Sequence, residues 1–152
     1  LVTVEPAGDE CGPLAGADWE TMKTHVNRGS AVLDQMIADL ALRELPHVTL
    51  LRNIVAYHHE FLDGSGYPHG ARGDAIPLEA RIVTVADVLD ALTSPRPYKP
   101  AWPFREAFAE LDRMVAAGKL DAAVVDALKR RSAEVRAVRE RYFDDRKGAL
   151  RP

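Results

Sequence analysis

The sequence predicts an all-α helical bundle, and three observations carry that prediction. Apolar residues recur at alternating three- and four-residue steps over several long stretches. No segment keeps the strict apolar–polar alternation of a half-buried strand. Glycine and proline cluster between the periodic stretches rather than inside them. With 152 residues, the chain fits one domain spanning 1–152 with a single core. Hydrophobic residues make up 47% and charged residues 28%, near the globular averages, which excludes a disordered chain. A net charge of −3 argues against a broad basic surface for DNA, while leaving room for a local cationic patch that holds a small anion. Cys11 has no second cysteine to pair with and suits a reducing compartment. No apolar run reaches the roughly 18–20 residues of a membrane span and no signal peptide is visible, so a cytoplasmic protein is expected.

Residues 1–17 contain Pro6, Gly8, Gly12, Pro13 and Gly16 and read as irregular, with a short extended piece at Val2–Val4. Residues 18–144 read as the bundle, with about five helices. The first runs from about Asp18 to Leu40, its face formed by Trp19, Met22, Val26, Gly29, Leu33, Met36 and Leu40, with His25 beside that stripe. Pro46 precedes a second helix, about His47 to Phe61, in which Leu51, Ile54, Val55 and His58 share a face. Gly64, Gly66, Pro68, Gly70, Gly73 and Pro77 then mark a loop of about fifteen residues, long enough to expect a function. The third helix starts near Pro77, a favoured first-turn residue, and ends at Ser94 before Pro95. Ile82, Val85, Ala86, Leu89 and Leu92 form its expected buried stripe, with Asp87 and Asp90 on the flank. After the connector Arg96-Pro97-Tyr98-Lys99-Pro100, helices are expected at about Phe104–Ala117 and Asp121–Asp144, broken at Gly118. The apolar stripe of the last one, including Tyr142, suits either packing on its own bundle or a homodimer.

The chemistry concentrates at His58-His59. Neighbouring residues on a helix point about 100° apart, so two ions take the two rings more readily than one ion does. Dinuclear sites, with ions roughly 3.5–4 Å apart, suit attack on a phosphodiester. Imidazoles and a carboxylate without thiolates select ions such as Fe, Mn, Zn or Co. His25 alone reads as an ordinary hydrogen-bonded core histidine, whereas the His-His pair followed by Asp87 inside an apolar stripe reads as a ligand set. Asp90 is either a buried partner of that set, an orienter of a histidine, or solvated. Tyr67 suits stacking on a base, gating a pocket, or covering the core edge. Arg96 and Lys99 suit a phosphate or simple solvation at a helix end. His47 and His69 read as surface residues.

These motifs resemble the HD-GYP domain family, a subgroup of the HD-superfamily metal-dependent phosphohydrolases. The likeness is carried by His58-His59-Glu60, Asp63-Gly64-Ser65-Gly66-Tyr67-Pro68, Ile76-Pro77, Ala80-Arg81-Ile82-Val83, Val85-Ala86-Asp87, Asp90-Ala91-Leu92-Thr93 and Arg96-Pro97-Tyr98-Lys99, with Met22-Lys23-Thr24-His25 and Gly29 ahead of them. It covers roughly residues 12–130. The resemblance implies an HD-domain-like bundle with a long GYP loop, holding two or three divalent metal ions, iron or manganese. It implies a phosphodiesterase that cuts cyclic di-GMP to pGpG and GMP in bacterial signalling. By motif position His25, His58, His59 and Asp87 would be metal ligands, with His58, His59 and Asp87 at the catalytic centre. Gly66, Tyr67 and Pro68 would lie beside the substrate, and Arg96 and Lys99 would contact it.

The family's His-Asp pair should precede the segment that here reads Leu1-Val2-Thr3-Val4, and residues 5–11 fit the family poorly. The expectation is a domain truncated at its N-terminus, with a receiver or sensor region upstream. The alternative reading is a catalytically incompetent HD-GYP domain that binds cyclic di-GMP or a partner such as a GGDEF-domain protein.

Overall fold

A computed structural model describes residues 17–42, 46–95 and 100–148, without the side chains of 17–20 and 142–148. The expected extended piece at Val2–Val4, the side chains of Trp19 and Tyr142, and the Arg96–Lys99 connector lie outside the described residues. Among those described there are six α-helices and no strand: α1 (Ala17–Asp39), α2 (Val48–Tyr57), α3 (Leu78–Thr93), α4 (Phe104–Ala116), α5 (Ala122–Arg130) and α6 (Ser132–Gly148). The all-α prediction holds.

Helix α3 is the hub, contacted by α2 on one side and by α4 and α5 on the other. That position changes which of its residues are buried. Ala80, Thr84, Val85, Val88, Leu89, Ala91 and Leu92 are buried, whereas Ile82, expected in the stripe, is 49% exposed and Ala86 faces out as well. A single stripe cannot describe a helix flanked on two sides. Val85, Val88, Leu89 and Leu92 meet Ala107, Leu111 and Met114 of α4, together with Leu120 and Val125, in the main core. Each fully buried leucine or valine there contributes roughly 1.5–3 kcal/mol.

On α1 the buried face runs through Val26 to Ile37, while Met36 and Leu40 are more than half exposed. The expected 3-4-3-4 stripe has a period of 3.5, and a straight helix drifts about 20° per seven residues against such a repeat. By the fourth turn the inward position has moved from 36 to 37.

The expected single C-terminal helix is broken at Arg131 into α5 and α6. Asp121 caps α5 by accepting from the Ala123 and Val124 N–H groups at 2.9 and 3.3 Å. Lys129 binds Asp112 of α4 at 2.7 Å, while α6 turns so that Arg136 and Arg139 lie over the Phe104 ring, 5.1 and 5.6 Å from its centroid. The two helices therefore answer to different neighbours. No glycine or proline marks the break.

The chain between α2 and α3 is irregular apart from one 3-10 turn at Gly73–Ala75. Arg81 of α3 closes its far end, donating to the Ile76 carbonyl oxygen at 2.7 Å, Asp74 at 3.0 Å and Asp121 at 3.2 Å.

Candidate metal centre

The second helix ends at Tyr57, four residues earlier than its expected end at Phe61. His58 still donates its backbone N–H to the Ile54 carbonyl oxygen, but the next backbone bond tightens to Glu60 N–H on Tyr57 at 2.9 Å. His58 and His59 therefore sit in the turn that leaves α2 rather than on a helical face. Their rings lie 4.1 Å apart and 40° from parallel, so the argument from a 100° helical separation does not describe them. Buried Thr84 of α3 ties this turn in place, its hydroxyl lying 2.8 Å from the His58 carbonyl oxygen and 2.9 Å from that of Ala80.

Three imidazoles converge. The ligand atoms of His25, His58 and His59 lie within 4.8 Å of one another. His25 Nδ1 donates to the Met22 carbonyl oxygen, and His58 Nδ1 lies 3.0 and 3.1 Å from the Ile54 and Val55 carbonyl oxygens. A carbonyl only accepts, so both rings carry their proton on Nδ1 and leave Nε2 as a lone pair, the tautomer a metal ligand needs. His25 Nε2 and His59 Nε2 are 3.1 Å apart. Two imidazole nitrogens that close could serve one ion. On the other side of its ring, His59 Nδ1 faces Asp87 Oδ2 at 3.8 Å.

His59 is 2% exposed. Burial first, then the positive charge that His58 and His25 take on when protonated, pushes its pKa down from 6.5 to about 3. A neutral ring carries one proton. Lone pairs on the imidazoles of His25 and His58, with His59 between them and the Asp87 carboxylate, are nitrogen and oxygen donors of the kind a divalent ion takes, so the donor set fits a divalent metal. When bound, such an ion supplies Lewis-acid stabilisation of charge on a phosphoryl group.

The sign of this shift predicts a pH dependence for the metal-free protein. Between pH 6.5 and 3 the unfolded chain binds a proton at this position that the folded chain does not. His59-linked stability is therefore complete above pH 6.5 and drains away as pH falls toward 3. Asp63, Glu79 and Asp121, whose folded values are also lowered, start from 3.8 or 4.5 and act only in the lower part of that range. Urea denaturation at successive pH values should show the unfolding midpoint already dropping between pH 6.5 and 5. A His59→Gln protein should show a shallower drop over that interval, and an equal slope in both proteins would place the effect elsewhere.

The loop after His59 folds back onto the centre. Tyr67 donates its backbone N–H to the His59 carbonyl oxygen at 3.1 Å. Its ring stacks on the His59 imidazole, centroids 4.9 Å apart and 28° from parallel, and stands edge-on to His25 at 6.3 Å. Burial, then the Asp87 charge, pushes the phenol up to about 12, so it keeps its proton. The Tyr67–Pro68 peptide is cis. Gly66 packs against the chain itself, where an added Cβ would lie 2.4 Å from Glu60 Cα and 2.5 Å from the His59 carbonyl oxygen.

Glu60 is the residue that sequence reasoning left without a role. It is 2% exposed, and its two oxygens accept the His69 N–H at 2.6 Å and the Ala71 N–H at 3.0 Å. The signals along the chain were its place in the His58-His59-Glu60 motif and a carboxylate beside Phe61 and Leu62. Asp90 is exposed and accepts from the Ser94 hydroxyl at 2.9 Å, which settles it as a solvated residue. His69 is exposed, its ring 5.1 Å from that of Tyr57. Arg96 and Lys99 lie outside the described residues.

Residues 13–124 match the HD domain family. The chain belongs to that family. Within the HD domain family it is similar to the cyclic di-GMP phosphodiesterase response regulator RpfG of Xanthomonas campestris, at 55% identity over 84% of this chain and 32% of the relative. It is 40% identical to the 3'3'-cGAMP-specific phosphodiesterase 3 of Vibrio cholerae, over 68% of this chain and 21% of the relative. A cyclic di-GMP phosphodiesterase of Thermotoga maritima is 37% identical over 88% of this chain and 34% of the relative. The chain spans about a third or less of the length of these relatives. Membership and relatives together bear out the HD-GYP resemblance. Among the described residues no helix is long and apolar enough to cross a membrane.

Proposed function

We propose that this HD domain is the catalytic part of a metal-dependent phosphodiesterase that hydrolyses cyclic di-GMP to pGpG and GMP. The observation that carries the reading is the convergence of His25, His58 and His59, with Asp87 against the far nitrogen of His59. In this reading the four residues hold two or three divalent ions, iron or manganese. The neutral imidazoles supply lone pairs, and the Asp87 carboxylate offsets part of the ionic charge. His58, His59 and Asp87 form the catalytic centre. Gly66, Tyr67 and Pro68 border the substrate, and Arg96 and Lys99 hold its phosphate or guanine.

Cyclic di-GMP is preferred over 3'3'-cGAMP because the relative sharing 55% identity is named for the former. The remaining parts of the proposal are a cytoplasmic location, a regulatory receiver or sensor region in the longer protein, contacts with GGDEF-domain proteins, and a homodimer. The Xanthomonas relative is named as a response regulator, which supports the regulatory region.

Turnover of both dinucleotides by the Mn- or Fe-loaded protein tests the reading, with products separated by chromatography. Hydrolysis of cyclic di-GMP that disappears in Asp87→Ala is the expected result. Faster turnover of 3'3'-cGAMP would reassign the substrate. Binding of cyclic di-GMP without hydrolysis would return the domain to a binding module.

A further inference from the structure

The geometry points to Glu60 and Tyr67 as a pair of positioning residues for the metal centre, the first anchoring the loop and the second holding the plane of His59. This inference rests on the metal-centre reading above. A buried carboxylate needs partners, and here both oxygens are engaged by the loop that follows, through His69 and Ala71. The loop therefore curls around Glu60. Gly66 lies directly against the Glu60 backbone with no room for a side chain. Tyr67, next in the chain, is bonded to the His59 carbonyl oxygen and stacked on the His59 ring.

The near-parallel stack matters because rotating the imidazole about its own bond would swing Nε2 away from His25. Thr84 secures the backbone of His58 from the α3 side, and Tyr67 covers the ring of His59 from the loop side. The loop's entry is held separately: Leu62 donates to the Lys119 carbonyl oxygen at 2.9 Å, and Gly73 donates to Leu62 at 3.0 Å. Pinned at both ends and in the middle, this segment works as a strap across the ligand set. Tyr67 so placed acts on the centre through His59, in addition to bordering the substrate.

The experiment is a Mn2+ titration of the metal-free protein and of Tyr67→Ala, Tyr67→Phe and Glu60→Gln, followed by free-ion electron paramagnetic resonance. Helical circular dichroism of each sample is recorded alongside. Removing a group that orients a ligand typically weakens metal binding by roughly 10–100-fold, and that loss is expected for Tyr67→Ala. Glu60→Gln should show it too, since an amide offers one acceptor where two N–H groups need one each. Tyr67→Phe keeps the ring face and should keep the parent affinity.

Parental Mn2+ affinity in Tyr67→Ala with a raised KM would overturn the inference and leave Tyr67 as a substrate contact alone. An equal loss in Tyr67→Phe would overturn it in favour of the hydroxyl. If Tyr67→Ala loses its helical signal, Tyr67→Leu takes its place, keeping the packing volume without the aromatic face. A parent protein that takes up no Mn2+ would remove the metal centre itself. Tight Mn2+ binding by the parent with indifferent variants would remove only the strap.

Discussion

His59→Ala is expected to abolish metal-dependent hydrolysis of cyclic di-GMP and to empty much of the metal site, while the helices stay folded. His59 meets three other members of the centre. Its Nε2 is 3.1 Å from His25, its Nδ1 is 3.8 Å from Asp87, and its ring lies 4.1 Å from that of His58. Residues outside a ligand set cost roughly 10–100-fold when removed. Loss of the central donor should exceed that range, giving a fall in kcat/KM of at least about 100-fold. Turnover measured on Mn-loaded protein, together with metal content per chain, checks the expectation. A parental rate in the variant would take His59 out of the centre and leave the convergence of rings without a catalytic meaning.

Gly66→Ala is the second large effect, and it concerns stability and loop placement. The added methyl would meet Glu60 Cα at 2.4 Å, the His59 carbonyl oxygen at 2.5 Å and the Phe61 nitrogen at 2.5 Å. All three are backbone atoms and cannot swing aside as a flexible side chain would. Overpacking in a well-fitted site costs about 1–3 kcal/mol and more when backbone must move, so a loss of about 3 kcal/mol or more is expected. Gly118→Ala is the matched comparison. Its φ of 74° is unfavourable for alanine, but the space around it is open, so the cost should stay near the roughly 1–2 kcal/mol of a left-handed residue. Urea denaturation of both variants measures the difference. Equal costs would mean that the close approach at Gly66 relaxes freely.

The two effects share a cause. The segment from His58 to Ala71 is at once a ligand set and a loop, and the same backbone serves both. Glu60 lies between the last histidine and the glycines, so any disturbance of the loop reaches the ligands through one or two peptide units.

Much of this was legible along the chain because it rests on short-range rules. Pro77 at the start of α3, the turn at Gly118 and the cap at Asp121 need only neighbours within a few residues. The spacing of apolar positions gave the all-α class, and the adjacent histidines with a later aspartate pointed to one shared centre. The exposed faces of Ile82, Ala86 and Met36 were not legible, because burial depends on which helices lie alongside. The break at Arg131 escaped for a similar reason: α5 is drawn to Asp112 and α6 to Phe104, partners distant in sequence.

What residue order settled about this protein was the kind of groups available and their order along the backbone: three imidazoles, a carboxylate and a glycine-rich loop. What required the assembled fold was direction. How the turn at His58 is held, which partners the His59 ring meets, and where Glu60 spends its two oxygens are set by contacts 9 to 34 residues apart along the chain. Side-chain chemistry is local and can be read from a string of letters. Orientation around a common point is a property of packing, and it exists only once α1, α2 and α3 lie against one another.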